Sequence, residues 1–239
     1  MCGIFAILGL SGCDDCLKRQ AIYQSKKMKH RGPDWSGYYM DEKVILCHER
    51  LSIIDVFNGA QPIVSTDGNI VLAVNGEIYN YKELKEEFSE DDFKTNSDCE
   101  VIINLYQKYG VHFMEKNLLR GMFAFILYDI ASGDYIISRD HMGIMPLYIG
   151  YKNGRTHVAS EMKSLIDCER LDIFPPGQYC VNDNFYTYYK PSWVENMGTQ
   201  SLDLELLRTT LEKSVTSHMM SDVPFGVLLS GGLDSSLVA

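Results

Sequence analysis

Apolar residues fall into short dense runs along this chain, and their period changes from run to run. Residues 2–10 are nearly continuously apolar, the pattern of a strand buried on both faces. Residues 44–54 and 70–74 read as strands too. So do 121–129 and 135–139, joined as a hairpin through Ala131-Ser132-Gly133. Shorter strands are predicted over 147–151, 157–160, 178–181 and 185–189. Helical spacing emerges in two other places. Leu17, Ile22 and Met28 lie loosely on one side of a helix over 15–28. Val101, Ile102, Leu105, Tyr106 and Tyr109 share a face over 98–109, and Gly110 stops that helix. Many short strands with a few amphipathic helices predict layers, with helices covering buried sheets.

The character changes near residue 190, which predicts one domain over 2–190, a linker over 191–201 and the start of a second domain over 202–239. A helix is expected over 202–220, with Leu204, Leu207, Leu211 and Val215 on one face. A short apolar strand over 225–229 then leads into Ser230-Gly231-Gly232-Leu233-Asp234-Ser235-Ser236. A strand, a glycine turn and three helical residues do not make a domain, so this second part is expected to be truncated.

Composition narrows the class. Hydrophobic residues make up 46% and charged residues 23% of 239 residues, an ordinary globular balance. The net charge of -10 argues against nucleic acid or an anionic membrane as partner. Seven cysteines, an odd number without regular spacing, fit a reducing compartment. Cys13 and Cys16 form a C-x-x-C, but a zinc site wants a second pair, and none follows. No apolar run reaches membrane-spanning length and no signal peptide precedes the domain, so a cytoplasmic enzyme is expected.

Cys2 carries the sharpest chemistry. Removal of Met1 leaves a thiol and a free α-amine on one residue, a nucleophile and a base together. The bland alternative is a small buried residue at the start of a strand. Asn75-Gly76 between apolar residues is a hairpin signal. The same pair presents an amide side chain and a backbone N–H suited to a developing oxyanion, with Glu77 beside them to receive an ammonium. Arg50, in a mostly apolar stretch, wants a carboxylate, either an internal one or that of a substrate. Asp98 is placed to cap the following helix or to bind an amine. The stretch 230–236 lacks the lysine of a Walker A loop, yet small residues ahead of a helix favour a pyrophosphate cradle over a plain turn.

The blocks Met1-Cys2-Gly3-Ile4-Phe5, His30-Arg31-Gly32-Pro33-Asp34-Trp35-Ser36-Gly37, 48–55, 74–80, 97–101, 121–125 and 139–144, ending in Ser-Gly-Gly-Leu-Asp-Ser-Ser, resemble the class II glutamine amidotransferases. Within them the similarity is to the glutamine-hydrolysing asparagine synthetases of the bacterial B type. It runs in order along the whole chain. The resemblance implies an α+β N-terminal nucleophile hydrolase fold, a four-layer αββα sandwich of two antiparallel sheets, followed by the start of an α/β ATP-pyrophosphatase domain. It implies that Cys2 attacks glutamine and that Asn75 and the Gly76 N–H form the oxyanion hole. Arg50 would hold the α-carboxylate, Glu77 and Asp98 the α-amine, and backbone groups of Leu51, Ser52, Ile53 and Ile54 would line the pocket. Leu229, Ser230, Gly231, Gly232, Asp234 and Ser235 would open a nucleotide site, with magnesium at Asp234. The small-molecule partners implied are glutamine, aspartate and ATP, with ATP and Mg2+ needed only for the synthetase reaction, and the family often forms homodimers. Arg31 is read as ordering its loop. Two other readings are kept: an inactive glutamine-binding module, and the glutaminase half of a related ATP-dependent amide-forming synthetase.

Overall fold

A computed structural model describes residues 1–13, 15–195 and 201–239. The chain divides into two compact units, Met1–Lys190 and Pro191–Ala239.

The first unit holds two six-stranded antiparallel sheets. The strands are β1 (Gly3–Leu8), β2 (Trp35–Met40), β3 (Val44–Arg50), β4 (Ile63–Val64), β5 (Ile70–Ile78), β6 (Gly121–Asp129), β7 (Tyr135–Arg139), β8 (Tyr148–Lys152), β9 (Arg155–Ala159), β10 (Arg170–Ile173), β11 (Gln178–Val181) and β12 (Asn184–Thr187). One sheet runs β10-β8-β9-β1-β3-β2 and the other β12-β11-β7-β6-β5-β4. The helices are α1 (Asp15–Lys26), α2 (Tyr81–Lys85) and α3 (Val101–Tyr109).

Strand parity sorts the buried residues into three clusters. Ile4, Ala6 and Leu8 of β1, Val44 and Leu46 of β3, Val71 and Ala73 of β5, and Ala124 and Ile126 of β6 meet between the sheets. The alternate residues Phe5, Ile7, Ile45 and Cys47 face α1 through Ala21 and Leu17. Ile70, Leu72, Val74, Phe123, Phe125 and Leu127 face α3 through Val101, Ile102 and Leu105. Helix, sheet, sheet and helix are thus stacked in four layers, as the resemblance implied. Central strands buried on both faces also explain the continuous apolar runs.

The sequence reading departs from the structure at several elements. Asn75-Gly76 is no turn: both residues lie inside β5, paired with Ala124 and Phe123. A Cβ on Gly76 would stand 2.3 Å from the Met122 carbonyl oxygen, so glycine serves close strand approach there. The strand expected over 44–54 ends at Arg50, whose side chain gathers the next residues into a loop. The strands β2, β4 and β10 were not anticipated. β4 has only two residues, and β2 and β10 are partly exposed, without a clean alternation.

The second unit contains α4 (Ser192–Glu195), α5 (Leu204–Ser217) and α6 (Leu233–Val238). The α5 helix starts at Asp203, whose carboxylate accepts the Leu206 N–H at 2.9 Å, an N-cap. Part of the expected connector, residues 196–200, lies outside the described residues. The strand expected over 225–229 does not form: these residues have no ladder partner among the described residues, and an apolar run alone does not make a strand.

Candidate active site

Each face that builds the inter-sheet core turns polar at one end. Stepping by two from Leu8, Ala6 and Ile4 reaches Cys2. From Val44 and Leu46 the same step reaches His48 and Arg50, and from Val71 and Ala73 it reaches Asn75 and Glu77. Cys2, Arg50, Leu51, Ile53, Ile54, Asn75, Gly76, Glu77 and Asp98 line one cavity of about 550 Å³, its open mouth included. Ser52 does not join them. Its N–H donates to the Asp34 carboxylate at 2.8 Å, on a neighbouring hollow across Arg50. Met1, Gly59, Gln61, Ser97, Cys99, Met122 and Met145, which sequence reasoning did not assign, complete the walls.

Cys2 is fixed through its backbone. Arg31 Nε donates to the Cys2 carbonyl at 2.9 Å, and Arg31 Nη1 reaches Glu161 at 3.2 Å. The next residues of the strand are held by Ser160, whose hydroxyl accepts the Ile4 N–H at 3.0 Å. The loop-ordering role expected of Arg31 therefore acts directly on the peptide of Cys2. The Cys2 Sγ lies 3.4 Å from the Leu51 N–H and 3.6 Å from its carbonyl. Burial pushes the thiol above its ordinary range, partly offset by the Leu51 N–H and by the charges of the N-terminus, Arg50 and Arg31. At neutral pH the sulfur is thus a thiol in want of a base.

Arg50 has no carboxylate partner among the described residues. It donates instead to three loop carbonyls: Val56 at 3.2 Å, Ile54 at 3.1 Å and Asp55 at 2.6 Å. A Cβ on Gly59 would stand 2.5 Å from Nη2, so the loop wraps the guanidinium closely. Of the two alternatives that sequence left open, the internal carboxylate is absent among the described residues, and a nearly buried positive charge forms part of the cavity wall.

The same cavity also has an acidic wall, Glu77 and Asp98. Asp98 is 4% exposed, and its carboxylate accepts the Ile78 N–H at 2.7 Å. It does not cap the helix as expected. Ser97 takes that place, accepting the Cys99 N–H at 3.3 Å. Burial raises the Asp98 pKa, while the Ile78 N–H and the Cys99 thiol pull it down. Glu77 is raised by burial and then by the Asp98 charge. Two crowded carboxyls without an ion-pair partner among the described residues are an electrostatic demand for a cation.

The open edge of β5 is the most informative part. Beyond β4 this edge has no neighbouring strand among the described residues, so residues 74, 76 and 78 must find other partners. Val74 N–H donates to Gln61 Oε1 at 2.8 Å, and its carbonyl accepts His48 Nε2–H at 2.9 Å. The Gly76 carbonyl accepts the Cys99 thiol at 3.6 Å, and the Ile78 N–H goes to Asp98. Among the described residues the Gly76 N–H alone has no partner on this edge. Beside it the Asn75 amide is wholly buried, with neither Nδ2 nor Oδ1 hydrogen-bonded. A buried amide with both ends unmet is costly, on the order of 1–3 kcal/mol, unless a ligand meets it.

The second candidate set lies in the other unit. Ser230 and Ser235 hydroxyls bond each other at 2.9 Å, the Gly232 N–H reaches Ser230 Oγ at 3.4 Å, and Ser235 Oγ donates to the Gly232 carbonyl at 3.1 Å. Leu229 and Gly231 (φ +80°) are exposed just ahead of α6, and Asp234 is exposed in its first turn. Asp234 is a single carboxylate, and no group of three metal-ligating side chains exists among the described residues. This turn alone does not build a magnesium site.

A sequence profile described as a glutamine amidotransferase domain matches residues 1–192, and one described as asparagine synthase matches 206–239. Asparagine synthetase B [glutamine-hydrolyzing] of Escherichia coli (strain K12) is 48% identical over 246 residues, covering all of this chain and 44% of that protein. Asparagine synthetase [glutamine-hydrolyzing] 3 of Arabidopsis thaliana is 46% identical over 244 residues, covering all of this chain and 42% of that one. The chain thus spans less than half the length of these curated relatives. Among solved structures, glutamine phosphoribosylpyrophosphate amidotransferase from B. subtilis superimposes with a TM-score of 0.64 at 22% identity, over 77% of this chain and 48% of the other. The allosteric regulatory enzyme of purine biosynthesis does so at 0.67 and 19%, over 99% and 62%. At such identities the likeness shows the fold alone.

Proposed function

The chain belongs to the glutamine amidotransferase domain family, and from that premise we propose that its cavity hydrolyses glutamine to glutamate and ammonia, with Cys2 as nucleophile. The observation that carries this reading is the pair of unmet donors, the Asn75 amide and the Gly76 N–H, in one cavity with the Cys2 sulfur. Arg50 takes the α-carboxylate of glutamine, and Glu77 and Asp98 take its α-ammonium. The side-chain amide then reaches the sulfur between them.

Removal of Met1 makes the Cys2 nitrogen a free amine, which accepts the thiol proton as the sulfur bonds to the amide carbon. The carbonyl oxygen becomes an oxyanion held by Asn75 Nδ2–H and the Gly76 N–H. As the C–N bond breaks, the amine returns its proton to the nitrogen, which leaves as ammonia. Water then attacks the thioester, the amine takes the water's proton, and glutamate leaves as the sulfur recovers it.

The names of the relatives, together with the asparagine synthase match over residues 206–239, support a wider role. In it the ammonia serves a synthetase half that uses ATP to activate aspartate as β-aspartyl-AMP, giving asparagine, AMP and pyrophosphate in the cytoplasm. The turn around Ser230 to Ser235 would then open the nucleotide site.

The deciding experiment measures glutamate release by protein of verified N-terminus. Release that depends on Cys2 supports the reading. Release that survives Cys2→Ala, or no release from protein beginning at Cys2, sinks it.

A further inference from the structure

Two side chains hold the strand residue immediately ahead of the oxyanion donors. His48 belongs to β3, in the sheet that carries Cys2, and Val74 belongs to β5, in the sheet that carries Asn75. Their hydrogen bond therefore crosses between the sheets at the boundary where the apolar core ends and the cavity begins. His48 is fully buried. With Nε2–H donated to the Val74 carbonyl, its Nδ1 is left without a partner. The neutral ring serves that bond alone, and burial holds its pKa down at about 4.

Gln61 closes the other half. It stands where a longer β4 would have placed a residue opposite Val74, since β4 pairs Ile63 with Leu72 and Val64 with Val71. The backbone ladder is absent there, and the Gln61 side chain supplies the acceptor for the Val74 N–H. On this edge the peptides on both sides of Val74 are thus fixed by side chains, while β6 pairs the other edge. The next peptide carries the Gly76 N–H, and the intervening residue is Asn75.

We propose that His48 and Gln61 are positioning residues for the glutaminase reaction: together they clamp the Val74 backbone and thereby set Asn75 and the Gly76 N–H against the Cys2 sulfur. This rests on the proposed glutamine hydrolysis. Oxyanion donors act only when aimed at where charge develops, and a displacement of about 1 Å costs on the order of a hundredfold. Substrate binding through Arg50, Glu77 and Asp98 does not pass through Val74. The clamp should therefore govern kcat and leave KM largely alone.

The test uses the full-length protein with Met1 removed, assayed for glutamate release. His48→Leu and Gln61→Met each delete one bond. His48→Gln retains a donor near the position of Nε2, and Gln61→Glu retains the acceptor. The expected result is a kcat lowered about ten- to a hundredfold in each deleting variant, with KM for glutamine within about threefold of wild type. Alkylation of Cys2 by iodoacetamide, which needs no oxyanion donors, should keep its wild-type rate. The retaining variants should recover most of kcat. Unchanged kcat in folded Gln61→Met or His48→Leu overturns the clamp, as does a loss in His48→Gln equal to that in His48→Leu. If His48→Leu does not fold, the Gln61 pair decides alone. Wild-type protein without Cys2-dependent hydrolysis overturns the underlying reading and the clamp with it.

Discussion

The cavity around Cys2 and the turn at residues 230–235 are both polar clusters among small residues, and they treat their polar atoms in opposite ways. In the turn, Ser230, Gly232 and Ser235 bond to one another and face solvent. In the cavity, the Asn75 amide and the Gly76 N–H are left unmet among the described residues, while the Val74 N–H, the Val74 carbonyl and the Ile78 N–H on the same edge each have a side-chain partner. A self-satisfied turn needs no ligand to be stable. A buried, unsatisfied constellation is held in place by the layers around it, at a cost that a ligand relieves. A motif thus becomes a site only where the fold supplies walls.

The strongest way to break this contrast is Cys2→Ala. Glutamate release should fall by about 10⁴-fold or more, while Asp234→Asn in the turn should leave it unchanged. A loss from Asp234→Asn would show that the turn takes part in hydrolysis after all. Next comes Asn75→Ala, which removes one of the two proposed oxyanion donors. It should lower kcat by roughly 10²–10³ with little change in KM, as read from steady-state kinetics. Arg50→Lys keeps the charge but loses the planar fork that grips the carbonyls of residues 54–56. A fall in kcat/KM of about ten- to a hundredfold, mostly through KM, is expected.

The acidic wall sharpens the comparison through pH. Glu77 and Asp98 have carboxyls raised by burial, so they protonate at a higher pH than ordinary carboxylates as the medium is acidified. Attraction for the α-ammonium is present above their pKa values and is lost as pH falls through them. KM for glutamine should rise on the acid side, and Asp98→Asn should weaken binding and flatten that rise.

The smallest expected effect concerns stability. His48 and His157 are buried with pKa values lowered to about 4 from 6.5. Between those values the unfolded chain binds protons that the folded chain refuses. Their contribution is therefore present above about pH 6.5 and is lost as pH falls toward 4. Urea midpoints should drop between pH 7 and 5, and His48→Gln should reduce the slope. An unchanged slope would place the acid sensitivity elsewhere.

Much of this protein was legible from one dimension. Runs such as 2–10 and 121–129 reveal buried strands because a strand covered on both faces tolerates only apolar residues. Cys2, Arg50, Asn75, Glu77 and Asp98 stand out because their chemistry is out of place among such runs. Other features needed the tertiary structure. Asn75-Gly76 carries a local turn signal, yet pairing with β6 over the length of β5 outweighs a two-residue preference. Arg50 looked for a carboxylate and found three carbonyls of its own loop, a choice made by where the chain bends after β3. The expected strand over 225–229 has the right residues and no partner strand among the described residues. Gln61 lies in no motif and His48 opens the block 48–55 with no role that its spacing reveals, because their importance lies in an edge left bare when β4 stops after two residues. Sequence determines which residues must be buried and which chemistry is present, since transfer from water is a property of each side chain. Which polar atom meets which, and which is left waiting, depends on where strands end, and only the packed sheets decide that.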